Sequence, residues 1–244
     1  MSSFGPIAPH YDLLMSKVPY DMWAGYLRLL FSQFEVYPED LLDVCCGTGT
    51  VAEMLAKEDY SLAGFDLSEP MIAEARRKAK EQDLDIDYFV ADAAEFDLGR
   101  DFDAAYSFFD SLNYITDLDR FLMALKQVHK HLRPGGLFVF DLNTAYAFEK
   151  KMFDQHNLRR GAPIRYDWKG EYDPETRQIA VHMNFWRDGE EFTEVHRQRA
   201  HRHEEVMQGL KDAGFEQIRA FDSYTLDPPR RASDRLHYCA RTSY

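Results

Sequence analysis

From Leu41 onward, short runs of apolar residues alternate with stretches in which apolar residues recur at helical spacing. Each run has the character of a buried strand and is followed by a helical stretch, or by a loop that leads to one. The predicted strands read LLDV near Leu41, SLAGF near Leu62, IDYFV near Ile86, DAAYSFF near Ala104 and LFVFD from Leu137. This alternation predicts an α/β fold whose sheet is built from successive strand–helix units.

Two amphipathic helices are predicted beside these strands. The first follows Pro19, and its apolar face consists of Trp23, Leu27, Leu30, Phe31 and Phe34. The second precedes LFVFD, and its apolar face consists of Phe121, Leu122, Leu125, Val128 and Leu132. The sequence Arg133-Pro134-Gly135-Gly136 predicts a turn that ends the second helix. Tyr11 and Tyr20 precede the first helix, where they either pack in the core or lean over the carboxyl ends of the strands.

The residue pattern changes between residues 146 and 203, where aromatic and β-branched residues alternate with polar ones. Turns are predicted at Asp173-Pro174 and Asp188-Gly189, so this region is interpreted as an antiparallel β insertion. A short helix from about Glu204 to Gly214 and a final hairpin, EQIRAFDSY with RLHYCARTS, complete the chain. We therefore divide the chain into N-terminal helices and core (1–145), a β insertion (146–203) and the C-terminal part of the core (204–244).

Composition narrows the possible partners and the location. Lysine and arginine total 29 against 42 aspartates and glutamates, which gives a formal net charge of −13 and makes nucleic acid an unfavourable partner. The three cysteines, Cys45, Cys46 and Cys239, form no CxxC pair and fit a reducing compartment. The sequence shows no signal-peptide pattern and no long apolar run, so we expect a cytoplasmic protein without a membrane partner.

The most informative segment is the predicted strand, turn and helix in LLDVCCGTGTVA. The glycines allow the backbone to approach a ligand closely. Because Gly47-x-Gly49-x-x-Ala52 also satisfies the dinucleotide fingerprint, the loop is compatible both with a nicotinamide cofactor and with S-adenosylmethionine.

Asp43 favours S-adenosylmethionine. A dinucleotide places its pyrophosphate at this turn, and the carboxylate of Asp43 would repel that anion. S-adenosylmethionine carries an ammonium and a sulfonium and no phosphate, so the same carboxylate attracts it. An NAD-dependent oxidoreductase is therefore the less favoured alternative.

Two further acids follow the next predicted strands. Asp66 lies 23 positions after Asp43, where an acid that binds ribose hydroxyls is expected, and Asp92 could accept a hydrogen bond from the adenine amino group. Each acid has a structural alternative as a capping residue: Asp66 at the helix start around Ser68, and Asp92 at the turn that follows it.

The segments LLDVCCGTGT, GFDLSEPMI, ADAAEF, FDAAYSFFDSLNYI and LRPGGLFVFDLNT follow one another as do the motifs of class I S-adenosylmethionine-dependent methyltransferases. The resemblance covers residues 41–143, resumes in KDAGFEQIRAF and looks like the small-molecule branch that includes sugar-amine N-methyltransferases. It implies a mostly parallel, seven-stranded, Rossmann-like sheet whose last strand is antiparallel, with the β insertion added.

The resemblance also implies roles for individual residues. Cys45, Gly47 and Gly49 would contact the methionine end of the cofactor, supported by Asp43, and Asp66 would bind the ribose. The remaining cofactor-binding positions would be Leu67 and Met71 against adenine, Asp92 and Ala93 at its edge, Phe108 near the transferable methyl group, and Tyr11 and Tyr20 as covers. Cys45 departs from the family, whose commonest residue at that position is glycine.

Methyl transfer from a sulfonium is an in-line displacement that requires positioning above all. A base is needed only for an acceptor that enters with its proton, and the nearest candidates after the fourth strand are Asp110, Asn113 and Tyr114. We hypothesise that Asp110 orients or deprotonates the acceptor, with Tyr114 as a second catalytic residue. The alternative for Asp110 is a turn-forming role beside Ser111.

The β insertion is predicted to be the lid over a small-molecule acceptor, or the interface of a homodimer. Its histidines include His196 and the pair His201 and His203, which could share a strand face; we interpret these histidines as solvated and expect no bound metal. The arginines at 197, 199 and 202 leave a tRNA or rRNA methyltransferase as a minor alternative. A non-catalytic protein that only binds S-adenosylmethionine is a further alternative.

Overall fold

The computed structural model of the chain describes residues 4–244. These residues form a seven-stranded sheet with helices on both faces and a separate four-stranded sheet. The strands are β1 (Asp40–Val44), β2 (Ser61–Asp66), β3 (Ile86–Val90), β4 (Phe102–Ser107), β5 (Leu132–Asn143), β6 (Gln155–Asn157), β7 (Arg165–Asp173), β8 (Gln178–Arg187), β9 (Glu190–Arg199), β10 (Glu216–Asp222) and β11 (Arg235–Arg241). The α-helices are α1 (Tyr11–Leu14), α2 (Tyr20–Gln33), α3 (Thr50–Ala56), α4 (Glu69–Glu81), α5 (Leu118–Lys130), α6 (Ala145–Glu149) and α7 (His203–Asp212).

The large sheet has the strand order β10-β11-β5-β4-β1-β2-β3. β1 pairs in parallel with β2 and β4, and β3 and β5 extend this parallel set on either side. β11 pairs antiparallel with both β5 and β10, so the last strand of the chain runs opposite to the other six. The predicted fold class, a mostly parallel sheet with an antiparallel last strand, is confirmed.

Two apolar cores, one on each face of the sheet, hold the helices in place. The predicted apolar face of α2 lies in the first core, where Leu27 and Leu30 are fully buried. Phe121 and Leu125 of α5 lie in the second core, against the other face. Both helices therefore bury the faces that their periodicity indicates.

The predicted turn at Arg133–Gly136 is wrong in one respect, because these residues belong to β5. The helix α5 ends at Lys130, so Leu132 lies in the strand and not on the helix face. The pairing with β4 is irregular here, passing from Phe102–Leu132 to Ala104–Leu137. The last residues of the chain hold the segment in place, because Gly135 N donates to Ser243 O at 2.9 Å and Thr242 N donates to Gly136 O at 2.9 Å.

The β insertion is confirmed as an antiparallel sheet with the order β6-β7-β8-β9. The predicted turn at Asp188-Gly189 joins β8 to β9, and both residues have positive φ, as a two-residue hairpin loop requires. On β8, one face of this sheet is apolar and belongs to a core shared with α6 and the N-terminal segment. Its core includes Ile7, Phe148, Ile179, Val181, Met183 and Phe185.

The predicted C-terminal elements are also present. Gly214, with φ +102°, follows α7 in the left-handed conformation that ends a helix, and β10 and β11 form the final hairpin. No helix among residues 4–244 combines the length and the apolar character needed to cross a membrane.

We predict that Gly136→Ala lowers the free energy of unfolding by about 1–3 kcal/mol, because overpacking of this size has that cost. A Cβ at this position would lie 2.9 Å from Arg133 O and 3.0 Å from Asp103 O, and both are backbone atoms. The matched control is Gly25→Ala in α2, where the nearest atom is 3.8 Å away; it is expected to raise stability by about 0.5–1 kcal/mol. Urea denaturation measures both changes, and equal stabilities for the two variants would contradict the prediction.

Candidate active site

A cavity of about 1640 Å³ lies at the carboxyl ends of the parallel strands. One half is lined by the loops after β1, β2 and β3, and the other half by the N-terminal helices, the segment after β4 and the β insertion. Pockets that hold one small ligand measure roughly 300–1,000 Å³, so this cavity has room for two small molecules.

Nearly all of the residues that the sequence singled out line this cavity. They are Tyr11, Tyr20, Asp43, Cys45, Gly47, Asp66, Leu67, Met71, Asp92, Ala93, Phe108, Asp110 and Tyr114. Gly49 and Asn113 do not line it; Gly49 supports the loop from behind, since a Cβ there would collide with the hydroxyl of Tyr88.

The loop between β1 and α3 turns through three residues with positive φ: Cys45 (+60°), Gly47 (+55°) and Gly49 (+76°). Cys45 therefore adopts the left-handed backbone that a glycine favours, which is how the chain keeps the loop shape without glycine at that position. A Cβ at Gly47 would meet no atom within 4 Å, so the backbone there faces open space in the cavity. Burial and nearby carboxylates raise the pKa of the Cys45 and Cys46 thiols well above the ordinary value, so both thiols stay neutral.

Asp66, the last residue of β2, binds two loops at once. Its Oδ2 accepts a hydrogen bond from Gly47 N at 2.9 Å, and its Oδ1 accepts one from Ser68 N at 2.8 Å. Ser68 itself is the N-cap of α4, so Asp66 is not the capping residue of that helix. Burial raises the pKa of the Asp66 carboxyl, although the backbone hydrogen bonds act in the opposite direction.

Among Asp43, Asp66 and Asp92, Asp43 is the most strongly buried, with 4% of its surface exposed. Its Oδ2 accepts a hydrogen bond from the Tyr106 hydroxyl at 2.9 Å. Burial raises the pKa of Asp43 to about 8, the hydrogen bond from Tyr106 lowers it, and the Asp66 carboxylate raises it. The groups of residues 4–244 that shift this pKa include no cation, so burial disfavours the charged form of Asp43.

Asp92 follows β3 and has the capping role considered for it, whereas its contact with adenine stays a prediction. Its Oδ1 caps the next turn by accepting from Ala94 N at 2.9 Å, while Oδ2 pairs with Arg120 Nη2 at 2.7 Å. Nearby, Leu67 is two-thirds exposed and Met71 is buried, so the two apolar side chains form part of the wall beside Asp92. The sequence did not predict the Arg120 pair, because it joins residues 28 positions apart.

The segment after β4 carries Phe108, which is buried, and then two consecutive residues with positive φ, Phe109 (+67°) and Asp110 (+51°). The carboxylate of Asp110 is fully engaged: Arg235 Nη2 donates to Oδ1 at 2.7 Å, and Gln198 Nε2 donates to Oδ2 at 2.6 Å. Asp141 also pairs with Arg235 and accepts from Asp110 N at 3.0 Å. Arg235 and Gln198 are therefore site residues that sequence reasoning missed.

Asn113 and Tyr114 have different surroundings. The side chain of Asn113 is buried, and its Nδ2 donates to Asn143 O at 3.0 Å and to Arg199 O at 2.8 Å, so it joins β5 to β9 and does not line the cavity. Tyr114 lines the cavity, and its hydroxyl lies 2.9 Å from His196 Nδ1.

The interpretation of the histidines of the β insertion as solvated is wrong for His196 and His201, which are buried. The His201 ring stacks on Phe121 with the ring centroids 3.9 Å apart, and its burial lowers the pKa to about 3. β9 ends at Arg199, so His201 and His203 do not share a strand face; His203 begins α7. No group of three or more His, Cys, Asp and Glu side chains within residues 4–244 could hold a metal.

Tyr11 and Tyr20 occupy the N-terminal wall and combine packing with cavity contact. The ring of Tyr20 packs edge-on against Trp23, with centroids 5.1 Å apart. Burial raises the pKa of the Tyr11 hydroxyl well above its ordinary value. Next to Tyr11, Asp12 accepts from Thr48 Oγ1 and Lys78 Nζ, both at 2.5 Å, which ties the N-terminal helix to the glycine loop.

The sequence of this chain is similar to those of several known proteins. Residues 41–136 match the family model described as a methyltransferase domain. A Geobacillus protein named as a methyltransferase is 30% identical over 237 residues, which cover 95% of this chain and 96% of that protein. The Streptomyces venezuelae dTDP-3-amino-3,4,6-trideoxy-alpha-D-glucopyranose N,N-dimethyltransferase is 39% identical over 101 residues, or 41% of each protein.

Among solved structures, an S-adenosylmethionine-dependent methyltransferase from Clostridium acetobutylicum superimposes with a TM-score of 0.86. It is 27% identical, and the match covers 98% of both chains. The agreement extends over the β insertion as well as the large sheet. Together with the full-length relative and the acids at the strand ends, it establishes that the chain belongs to the class I S-adenosylmethionine-dependent methyltransferases.

Proposed function

We propose that this enzyme methylates a small molecule through an amine or hydroxyl group, with the cofactor in one half of the cavity and the acceptor in the other. The observation that carries this proposal is the size and continuity of the cavity, which runs from the glycine loop to the inner face of the β insertion. A pocket for the cofactor alone would not need the second half.

The cofactor half fits S-adenosylmethionine, which supplies a methyl group bonded to a positively charged sulfur. The open backbone at Gly47 gives the ligand space, and the buried carboxylate of Asp43 favours a cationic ligand. We assign the methionine end to Cys45 and Gly47, the ribose to Asp66, and the adenine to Leu67, Met71, Asp92 and Ala93. Phe108, Tyr11 and Tyr20 would border the methyl group.

The acceptor half contains polar atoms that are buried and have no hydrogen-bond partner among residues 4–244. They are Gln198 Oε1, Asn143 Nδ2 and Trp168 Nε1, all on residues that line the cavity. Unmet polar groups of this kind are costly unless a ligand or water satisfies them, so they supply recognition of a polar acceptor. Because both oxygens of Asp110 are already engaged, we propose that Asp110 orients the acceptor and does not deprotonate it.

The β insertion is proposed to be the lid of the acceptor half. Its inner face lines the cavity with Tyr166, Trp168 and Phe185. Its outer face on β7 is charged and exposed, with Arg165, Asp167, Lys169 and Glu171. A homodimer through this outer face would be held by ion pairs and not by apolar burial, so the lid role is favoured.

The named relatives support an amine as the leading acceptor class, since the Streptomyces venezuelae protein is named as an amino-sugar N,N-dimethyltransferase. The functional test is a panel of small amines, alcohols, amino sugars and total tRNA, with release of S-adenosylhomocysteine as the readout. Turnover of tRNA alone would replace the small-molecule proposal, and cofactor binding without any turnover would favour a non-catalytic protein. The three free cysteines keep the cytoplasm as the expected location.

We predict that Asp66→Ala abolishes micromolar binding of S-adenosylmethionine in calorimetric titration. The carboxylate holds Gly47 N and Ser68 N, so its removal loosens both loops that surround the ligand. Asp85→Ala, an exposed acid before β3, is the control and is expected to bind like the wild type. Undiminished binding by Asp66→Ala, or binding of NADH in place of S-adenosylmethionine, would overturn the assignment.

We predict that Asp43→Asn stabilises the ligand-free protein while weakening cofactor binding. The folded-state pKa is about 8 and the unfolded value is about 3.9, so between these limits the folded state holds a proton that the unfolded state has lost. Stability from this group therefore falls as pH rises through that window. Urea unfolding should show the variant gaining ~1–3 kcal/mol over the wild type between pH 5 and pH 8; a pH-independent difference would contradict it.

For Asp110→Asn, we predict a KM for the acceptor raised by about 10–100-fold, because hydrogen bonds to charged groups are worth roughly 1.5–3 kcal/mol. Affinity for S-adenosylmethionine should not change. Asp101→Asn, an exposed acid before β4, serves as the control. An unchanged KM with the acceptor found in the panel would remove Asp110 from the acceptor site.

A further inference from the structure

Three ionisable side chains form a hydrogen-bonded chain at the acceptor half of the cavity. The Tyr114 hydroxyl lies 2.9 Å from His196 Nδ1, and His196 Nε2 lies 2.6 Å from Glu194 Oε2. Tyr114 and His196 both line the cavity, whereas Glu194 lies behind them. The chain therefore runs from the cavity wall into the interior of the lid.

The N-terminal segment holds the Glu194 carboxyl group through two backbone hydrogen bonds. Its Oε1 accepts from Ile7 N at 3.1 Å, and its Oε2 accepts from Phe4 N at 3.1 Å. An ionised carboxylate only accepts hydrogen bonds, so His196 Nε2 carries a proton and donates it to Glu194. In the neutral imidazole, Nδ1 is then an acceptor and takes the hydrogen bond from the Tyr114 hydroxyl.

This arrangement leaves the lone pairs of the Tyr114 oxygen available to a bound molecule. Burial, followed by the charge of Asp110, raises the pKa of Tyr114 well above its ordinary value, so the phenol keeps its proton at neutral pH. The groups that face the chain are Glu194 on β9, Asp110 after β4, Tyr11 on α1 and Asp66 at the end of β2. Arg235 on β11 faces it indirectly, through its ion pair with Asp110.

We propose that Tyr114, His196 and Glu194 are a proton relay that deprotonates a protonated amine acceptor before methyl transfer. The inference rests on the proposed function, since it assumes an amine in the acceptor half. The acceptor nitrogen gives its proton to the Tyr114 oxygen, while the Tyr114 proton passes to His196 Nδ1. The freed lone pair then forms the nitrogen–carbon bond as the sulfur–methyl bond breaks and its electron pair returns to sulfur.

The relay ends with a protonated His196 paired with the Glu194 carboxylate. Tyr114 is the residue that touches the acceptor, so it is catalytic, whereas His196 and Glu194 act through it as positioning residues. The proton returns to solvent through the open cavity after the product leaves. The protein supplies the base, and no other reactant is required.

The kinetic test uses His196→Asn and Tyr114→Phe with the amine acceptor that the panel identifies. Loss of a general base costs 10²–10⁴-fold, so we expect kcat at neutral pH to fall by about 100-fold in either variant and in the double variant alike. The deficit should shrink as pH rises and the amine loses its proton in solution. S-adenosylmethionine affinity, measured by calorimetry, should be unchanged.

His182→Asn is the matched control. His182 lies on the outer face of β8, and its Nε2 is 3.8 Å from Oε2 of Glu171. The two residues therefore form a histidine–carboxylate pair in the same β insertion, but one that faces solvent. It is expected to keep the wild-type kcat and pH profile. If His196→Asn behaved like His182→Asn, or if its deficit were the same at every pH, the relay would be overturned in favour of a structural role.

A second measurement does not depend on the acceptor. NMR of the protein with ¹⁵N-labelled histidine, bound to S-adenosylhomocysteine, should find His196 protonated at Nε2 and unprotonated at Nδ1, with a shift of Nδ1 in Tyr114→Phe. A proton on Nδ1 would refute the relay even if the enzyme methylates amines. Conversely, this tautomer together with a wild-type enzyme that methylates only alcohols or tRNA would leave Tyr114 correctly placed but refute the amine step and the acceptor class.

Discussion

The carboxylate of Asp66 holds the end of β1 to the end of β2, and the shape of the cofactor half depends on it. One oxygen binds the backbone of the glycine loop and the other binds the start of the loop to α4. The same loop is also held by Cys46 N, which donates to Phe65 O at 2.9 Å, and by Ser111 Oγ, which donates to Cys45 O at 3.4 Å. The two hydrogen bonds that Asp66 accepts offset part of the cost of burying its carboxylate, whose pKa stays raised.

The carboxylates of the cavity differ in whether a positively charged side chain of the protein pairs with them. Asp92 pairs with Arg120, and Asp110 pairs with Arg235, so these carboxylates are neutralised by the protein itself. For Asp43, the interactions that shift its pKa include no cation from residues 4–244. Asp43 therefore keeps its proton below about pH 8 in the absence of a ligand, and a positively charged ligand beside it would favour the ionised carboxylate.

Local patterns account for the parts that could be predicted. The parallel strands and the place of the acids Asp43, Asp66 and Asp92 follow from the alternation of strands and helices, because the carboxyl ends of parallel strands meet at one edge. The residues that bind the Asp110 carboxylate could not be found in this way, since Arg235 and Gln198 lie 125 and 88 positions from it along the chain. The β5 irregularity was missed for the same reason, as the residues that hold it come from the end of the chain.

On the β insertion, the alternation of residues was present in the sequence, but it did not show which face is buried. On β8 the buried face is apolar, with Ile179, Val181 and Met183, whereas on β9 the same alternation buries Glu194, His196 and Gln198. Alternation alone does not say which face of an edge strand is buried, so the polar face was assigned to solvent. Burial of three polar side chains in one stripe is expensive unless each has a partner, and here Tyr114, Asp110 and the N-terminal backbone supply the partners. Of this stripe, His196 and Gln198 line the cavity and Glu194 lies behind them, so polar groups stand at the cavity wall where apolar packing would offer no hydrogen bond.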